Sequence, residues 1–156
     1  MNKKIFLSLV LVFLTGCGFT PMLKDFDVSK LNVQKITYSG KNDLTYLLKS
    51  SLNINETSSP RGMIVDISIT EAISAETKNS SGVTTEENLL ITIAIKIVDS
   101  KGNALLSDSD SSNRRLSVTN NLSSDEETRR IERNNLMRNL SQKIKFRLQM
   151  VAQQIK

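Results

Sequence analysis

Apolar and polar residues alternate in two stretches of the chain, residues 63–73 and 89–98. Their apolar side chains take every second position, and mostly polar or small residues stand between them. Period-two alternation is the pattern of a β-strand that covers a core with one face and leaves the other face open. The polar segment 77–87 is predicted to join the two strands as a hairpin loop. The alternating apolar residues are Val65, Ile67, Ile69, Leu89, Ile91, Ile93, Ile95 and Ile97.

Shorter elements are predicted on both sides of this hairpin. Residues 31–39 contain β-branched and aromatic residues and end at Gly40, which predicts a first strand. Asn42 is a suitable N-cap for a short amphipathic helix, and residues 55–62 form a loop rich in Ser, Pro and Gly. The apolar positions of that helix are Leu44, Leu47, Leu48 and Leu52.

The segment after the hairpin is more polar. Its Asp and Gly content predicts a turn over residues 99–103. An antiparallel strand is expected over residues 104–109. After a polar irregularity at 110–113, this strand is expected to continue through 115–119.

The end of the chain carries the clearest helical pattern. Ser124 and Glu127 have the spacing of a capping box, which predicts that the helix begins there. Apolar residues then recur every three or four positions and form a narrow stripe along one side. The stripe consists of Met137, Leu140, Ile144, Leu148, Val151 and Ile155.

The order of these elements, β-α-β-β-β-α, predicts an α+β fold. We expect a sheet of about four strands, largely antiparallel or mixed, with two helices packed on one face. The predicted domain occupies residues 31–156.

Residues 1–16 have the organisation of an export signal. Lys3 and Lys4 precede an apolar run that is too short to cross a bilayer as a helix, which takes about 20 residues. Gly16 and Cys17 then end a segment that resembles the lipobox of bacterial lipoproteins. The resemblance implies cleavage between Gly16 and Cys17, and modification of Cys17 by S-diacylglycerol and an N-acyl chain. The alternative is an ordinary signal peptide followed by an incidental cysteine.

An acylated Cys17 would hold the protein on a membrane, since two or more acyl chains give stable attachment. Residues 17–30 would then be a lipidated tether ahead of the domain. Gly18 stands where an Asp would resemble an inner-membrane retention signal. We therefore expect the protein on the periplasmic face of the cell outer membrane.

Composition excludes several kinds of chemistry. The chain has no histidine and a single cysteine, the predicted lipid attachment site, so the commonest general base, metal ligand and thiol nucleophile are missing. We expect no catalytic residue, metal site or cofactor, and hence no enzyme. The net charge of +5 is reduced by removal of the signal, and no nucleic-acid partner is expected. Residues 108–112 are similar to a calcium loop but lack its later Gly and Glu, which favours a solvated loop.

The last helix carries the candidate contacts with lipid or a partner. Its basic residues flank the apolar stripe on both sides, and Phe146 and Met150 lie opposite the stripe, four positions apart. The cations could bind the phosphates of an anionic glycolipid, or they could simply extend past a buried stripe to water. The aromatic and Met side chains could form a protein interface or pack locally. The candidates are Arg138, Lys143, Lys145, Phe146, Arg147 and Met150.

Two segments resemble the LptE family of lipopolysaccharide-assembly lipoproteins. Residues 17–22 (CGFTPM) are similar to the C-G-F-x-P-L start of alphaproteobacterial members. Residues 126–148 resemble the charged start and Leu-rich middle of the family's last helix, with an I-x-x-R-L-like end. The high Asn, Ser, Lys and Ile content departs from typical members.

The resemblance implies an α/β sandwich and a non-enzymatic role at the outer membrane. It implies that the protein acts as a plug and partner of an LptD-type β-barrel, assisting barrel assembly and the passage of lipopolysaccharide to the outer leaflet. Lipopolysaccharide itself is an implied ligand. Two alternatives remain open: a lipoprotein that carries lipid or lipoproteins through the periplasm, and a structural envelope lipoprotein without a lipid substrate.

Overall fold

The structure, a computed structural model, describes residues 31–154. Four strands form one sheet in the order β1-β2-β3-β4, with β1 parallel to β2 and the remaining pairs antiparallel. Two helices complete the order β-α-β-β-β-α, which confirms the predicted α+β fold. The elements are β1 (Val33–Ser39), α1 (Asn42–Leu52), β2 (Met63–Lys78), β3 (Thr84–Val98), β4 (Ala104–Ser117) and α2 (Leu122–Gln154).

The hairpin of β2 and β3 is much longer than the sequence predicted. Residues 77–87 were expected to form a loop, but pairing continues as far as Lys78 and Thr84. The polar side chains of this region satisfy one another across the strands, since Thr77 Oγ1 donates to Glu86 at 2.7 Å. The turn is confined to residues 79–83, where the side-chain oxygen of Asn79 accepts two main-chain N–H groups. The prediction of a long loop was therefore wrong.

Strand β4 is also more regular than predicted. The polar irregularity expected at 110–113 does not occur, and β4 pairs with β3 without interruption through this region before it ends at Ser117. Polar residues are accommodated because β4 lies at an edge of the sheet, where their side chains reach water or a polar neighbour. Asn113, for example, donates to Asn88 on β3 at 3.0 Å. The turn at residues 99–103 is confirmed: Asp99 accepts the main-chain N–H groups of Lys101 and Asn103, both at 2.8 Å.

Helix α2 begins earlier than the predicted capping box allows. Its first residue is Leu122, and the side-chain oxygen of Asn121 accepts the main-chain N–H of Ser124 at 3.2 Å. Ser124 therefore lies inside the first turn and does not cap it. Glu127 pairs instead with Arg130 one turn later, at 2.7 Å. The capping-box prediction was wrong because Asn121, a strong N-cap residue, precedes Ser124.

The hydrophobic core lies between the two helices and one face of the sheet. Leu44, Leu48 and Leu52 of α1 are completely buried, as are Leu140, Ile144 and Leu148 of α2. They pack against the alternating apolar residues of β2 and β3, all of them buried. The described part of the α2 stripe is confirmed as core; Ile155 lies outside the described residues.

Gly40 sets the sharp change of direction between β1 and α1. Its φ of +135° lies where L side chains are rarely found, and a Cβ atom there would stand 2.4 Å from the carbonyl oxygen of Ile69. Only glycine fits this close approach without displacing the backbone. The connection brings the start of α1 over β2, next to the ion pairs described below.

Candidate functional site

A row of carboxylates lies on the helix-facing side of the sheet, beside the apolar core. Glu71 on β2, Glu87 on β3 and two Asp residues on β4 occupy strand positions that point toward α2, and each pairs with a basic residue of that helix. The sheet-facing side of α2 is therefore divided. Its first half contacts the sheet mainly through Arg129 and Arg133, and its second half through the apolar stripe, with Lys143 and Arg147 beside the stripe.

Glu71 is the most buried of these carboxylates, with 1% of its side chain exposed. Arg133 of α2 and Lys41, which precedes α1, both donate to it, Lys41 at 2.6 Å. Burial alone would raise the pKa of Glu71, but the hydrogen bonds from Arg133 and Lys41 outweigh it and hold the pKa below its usual value. The contact ties β2 to both helices.

Arg129 forms the second connection between helix and sheet. Its Nε and Nη2 atoms donate to the two carboxylate oxygens of Glu87 at 2.6 and 2.7 Å, a bidentate arrangement. The hydrogen bond to Glu87 raises the pKa of the Arg129 guanidinium above its usual value. Arg129 is thus a structural cation and is not available to a ligand.

Two of the predicted lipid contacts, Lys143 and Arg147, lie on the side of α2 that faces β4. Arg147 Nη2 is 2.9 Å from an oxygen of Asp108, and its Nε is 3.4 Å from Asp110. Lys143 Nζ is 3.8 Å from Asp110. Both cations therefore already have carboxylate partners, which lowers their affinity for an anionic ligand.

Arg138 and Lys145 lie on the opposite flank of α2. Arg138 is exposed and Lys145 is half-buried, and within residues 31–154 neither forms an ion pair. The structure thus separates the predicted cations into a pair neutralised by β4 and a pair whose charge is uncompensated. Nothing in the spacing of these residues along the chain distinguishes the two pairs, because the difference depends on which flank faces β4.

Phe146 is 36% exposed, and Met150 is half-buried. Phe146 borders an open surface concavity of about 610 Å³ between α2 and β4. Asn139, Lys143 and Arg147 also line it. The concavity combines an aromatic side chain with both positive and negative charges. This combination suits a contact with a protein better than a contact with a purely anionic ligand.

The sheet face opposite the helices is uncovered within the described chain. Its strand positions carry small polar residues, and a shallow concavity of about 370 Å³ crosses β1, β2, β3 and β4 there. Asp66 of β2 and Lys96 of β3, which stand opposite each other in the register of the two strands, are among the residues that line it. In the sequence, this surface is indicated by the Ser, Thr and Ala residues at many of the alternate positions of the strands.

Other sequence expectations concern ions and the membrane. The segment 108–112 lies within β4 and does not form a loop. Over residues 31–154, no group of three or more His, Cys, Asp or Glu side chains is placed to hold a metal ion. None of the helices in that range is both long and apolar enough to cross a membrane. Gly16, Cys17 and the proposed tether 17–30 lie outside the described residues.

Solved structures with the same fold come from several bacterial lipoproteins. A minor lipoprotein from Acinetobacter baumannii superposes with a TM-score of 0.57 at 16% identity, covering 76% of this chain and 92% of that one. Rare lipoprotein B from Shewanella oneidensis gives a TM-score of 0.58 at 12% identity, with coverage of 77% and 95%. Lipoprotein B from Nitrosomonas europaea gives 0.56 at 14%, with coverage of 76% and 84%. At these identities the similarity establishes the fold.

Comparison at the sequence level identifies the family. No curated protein sequence matches the chain. The family model described as "LptE: Lipopolysaccharide-assembly" matches residues 27–148, which is more than half of the chain. The protein therefore belongs to the LptE family of lipopolysaccharide-assembly lipoproteins.

Proposed function

We propose that this protein is anchored in the outer membrane through acylated Cys17 and acts as the partner of an LptD-type β-barrel. In this role it assists assembly of the barrel, occupies its lumen as a plug, and supports the passage of lipopolysaccharide to the outer leaflet. The observation that carries the proposal is the LptE family match over residues 27–148. The lipobox-like segment at Gly16 and Cys17 supports the membrane anchor.

The surface of the domain is consistent with a role as a binding partner. The interior is filled by apolar side chains with little or no exposure, which fits a plug better than a carrier that must enclose an acyl chain. The uncovered sheet face and the concavity at Phe146 offer polar and mixed surfaces to a protein partner. The absence of histidine, and a single cysteine that we propose to be acylated, are consistent with a non-enzymatic role.

Contact with lipopolysaccharide, in this proposal, involves Arg138 and Lys145. Their charges are not offset by carboxylates in the described domain, whereas Lys143 and Arg147 are held by Asp108 and Asp110. A phosphate group would have to compete with those carboxylates on the β4 side and would meet no such competition on the opposite flank.

A cellular experiment tests the role. Depletion of the protein is expected to lower the amount of assembled barrel in the outer membrane and the amount of lipopolysaccharide at the cell surface. The wild-type gene is expected to restore both, and a Cys17→Ala gene only partly, because that variant lacks the anchor. Unchanged barrel and surface lipopolysaccharide after depletion would contradict the proposal.

A titration tests the lipid contact. Replacement of Arg138 and Lys145 by Gln is expected to weaken binding of lipopolysaccharide about tenfold, because each surface charge contributes less than about 1 kcal/mol. The matched control replaces Lys143 and Arg147 by Gln, removing the same number of charges from the same helix, and is expected to have a smaller effect. Equal effects of the two double variants would contradict the assignment.

A further inference from the structure

The two edges of the sheet differ in how they are covered. On the outer side of β1, the loop after α1 supplies partners: Thr57 N–H donates to the carbonyl of Val33 at 2.7 Å, and Glu56 accepts the N–H of Ile36 at 2.9 Å. The outer side of β4, Ala104–Ser117, has no strand beside it anywhere in the described range, and its Ser109 N–H donates to the side chain of the neighbouring Asp108 at 2.8 Å. A free edge of this length is a template for pairing with another strand.

The side chains of β4 are arranged so that the strand is complementary to a second copy of itself running in the opposite direction. The register with β3 places six residues on the helix-facing side: Leu106, Asp108, Asp110, Ser112, Arg114 and Leu116. A Leu stands at each end, acidic residues follow in the first half, and a basic residue lies in the second half. Two copies of this strand that run in opposite directions therefore bring acidic halves next to basic halves.

We propose that β4 pairs antiparallel with β4 of a second copy of this chain, about a two-fold axis through Ser111. In this register Asp108 lies opposite Arg114 of the second copy, and Leu106 lies opposite Leu116 of the second copy. The two four-stranded sheets become one continuous sheet, with the helices of both copies on the same face.

Three alternative registers are disfavoured by the same residues. Parallel pairing in register places Asp108 beside Asp108 of the second copy, and like charges directly opposite one another are destabilising. An antiparallel shift that moves the axis to Asp110 sets two copies of that carboxylate against each other. A slip by one residue puts the helices of the two copies on opposite faces of the sheet. The Ser111 register avoids all three.

The existing ion pairs of β4 remain compatible with this contact. Asp108 is held by Arg147 and Arg114 by Glu132, at 2.9 and 3.1 Å. When the strands meet, the two pairs become neighbours with alternating charges, so neither has to break. Because an edge-to-edge contact buries less surface than a typical stable interface, the dimer is expected to be weak and concentration-dependent.

A disulfide experiment tests the axis. Residue 111 faces its own copy across the axis, at the Cα separation of a cross-strand pair, about 4.5–5.5 Å, which a disulfide can span. In the full chain in detergent, Ser111→Cys is expected to form a covalent dimer at least tenfold faster than Ser81→Cys, an exposed control in the β2–β3 turn. The parent chain, whose single cysteine is Cys17, gives the background rate of covalent dimer formation. Equal rates for the two variants would overturn the proposal.

Charge variants test the register by sedimentation. Arg114→Glu places a carboxylate opposite Asp108 at two symmetric positions and is expected to weaken the dimer about tenfold. Arg115→Glu is the matched control, because Arg115 also has one carboxylate partner and is similarly exposed (60% against 56%) but lies on the other face, opposite Ser107 of the second copy. The double variant D108K/R114E exchanges the charges and is expected to restore association.

Two further results would overturn the proposal: a monomer at all concentrations up to about 1 mM, where even a weak contact is populated, or equal effects of Arg114→Glu and Arg115→Glu. The thermal midpoint of each variant reports whether it folds, and the disulfide experiment tests the contact if one does not. Failure here would leave the proposed barrel partnership intact, because that role does not require self-association.

Discussion

Arg133 of α2 donates to Glu71 of β2 across 62 positions of sequence, at a point where only 1% of the Glu71 side chain and 12% of the Arg133 side chain are exposed. Lys41 joins the same carboxylate from the start of α1. One buried acidic side chain therefore connects the central hairpin to both helices. Its position explains why the first half of α2 packs on the sheet although it carries few apolar residues.

Removal of this carboxylate is expected to destabilise the fold strongly. Glu71→Gln leaves the buried Arg133 guanidinium with only the more exposed carboxylate of Glu126, 3.7 Å away, as a counter-charge. Breaking a buried pair in this way costs about 3 kcal/mol in the free energy of unfolding. Urea denaturation measures the change. The control is Glu127→Gln, whose pair with Arg130 is more than half exposed on both sides and is expected to cost less than about 1 kcal/mol. Similar losses in the two variants would contradict a special role for Glu71.

The lowered pKa of Glu71 makes stability depend on pH. The carboxyl titrates near 4.5 in the unfolded chain and at a lower pH in the folded one, so the folded chain binds fewer protons in between. This contribution is fully present above pH 4.5 and is lost as the pH falls through the folded pKa. Urea midpoints between pH 7 and pH 3 are expected to fall less steeply for Glu71→Gln than for the parent chain. If the urea midpoints of the two proteins fell equally with pH, a group other than Glu71 would be responsible for the pH dependence.

Gly40 is expected to tolerate no side chain. Gly40→Ala combines a positive φ with a contact of 2.4 Å to the main chain of β2, and a loss of about 3 kcal/mol is expected. Gly102→Ala is a suitable control, because Gly102 also has a positive φ, +87°, but nothing lies within 4 Å of its added Cβ. A loss of about 1 kcal/mol is expected there. If thermal unfolding gave equal losses, the close approach would not be the cause.

The start of α2 provides a test of its cap. Asn121→Ala is expected to cost about 1 kcal/mol, because it removes the acceptor of the Ser124 N–H group. Ser124→Ala, at the position that sequence spacing favours, is expected to change stability by less than half as much. A larger loss of stability for Ser124→Ala than for Asn121→Ala in chemical denaturation would support the capping-box prediction instead.

How much of the fold can be predicted from sequence depends on where each element lies. The alternation in β2 and β3 and the stripe of α2 are visible because these elements bury one side against the core. Strand β4 is not recognisable at residues 110–113, since an edge strand tolerates polar residues whose partners come from β3 and α2. Residues 77–87 resemble a loop because this end of the hairpin extends beyond β1, and its polar side chains pair with one another across the two strands.

The candidate site shows the same limit. The basic residues of α2 are evident in the sequence, but their partners Glu71, Glu87, Asp108 and Asp110 lie on three strands distant in the chain. Sequence spacing does not reveal which cations are neutralised. The distinction between Arg138 and Arg147 arises only when the flanks of the helix are placed against the sheet.

The central claim is the partnership with an outer-membrane barrel, and co-isolation tests it most directly. The chain, tagged at its C-terminus and expressed in its host, would be isolated from membranes in mild detergent, with a tagged unrelated outer-membrane lipoprotein as control. The account predicts recovery of an LptD-type β-barrel in about equal molar amount with this chain and none with the control. Repeated recovery of the chain without any large barrel would contradict it.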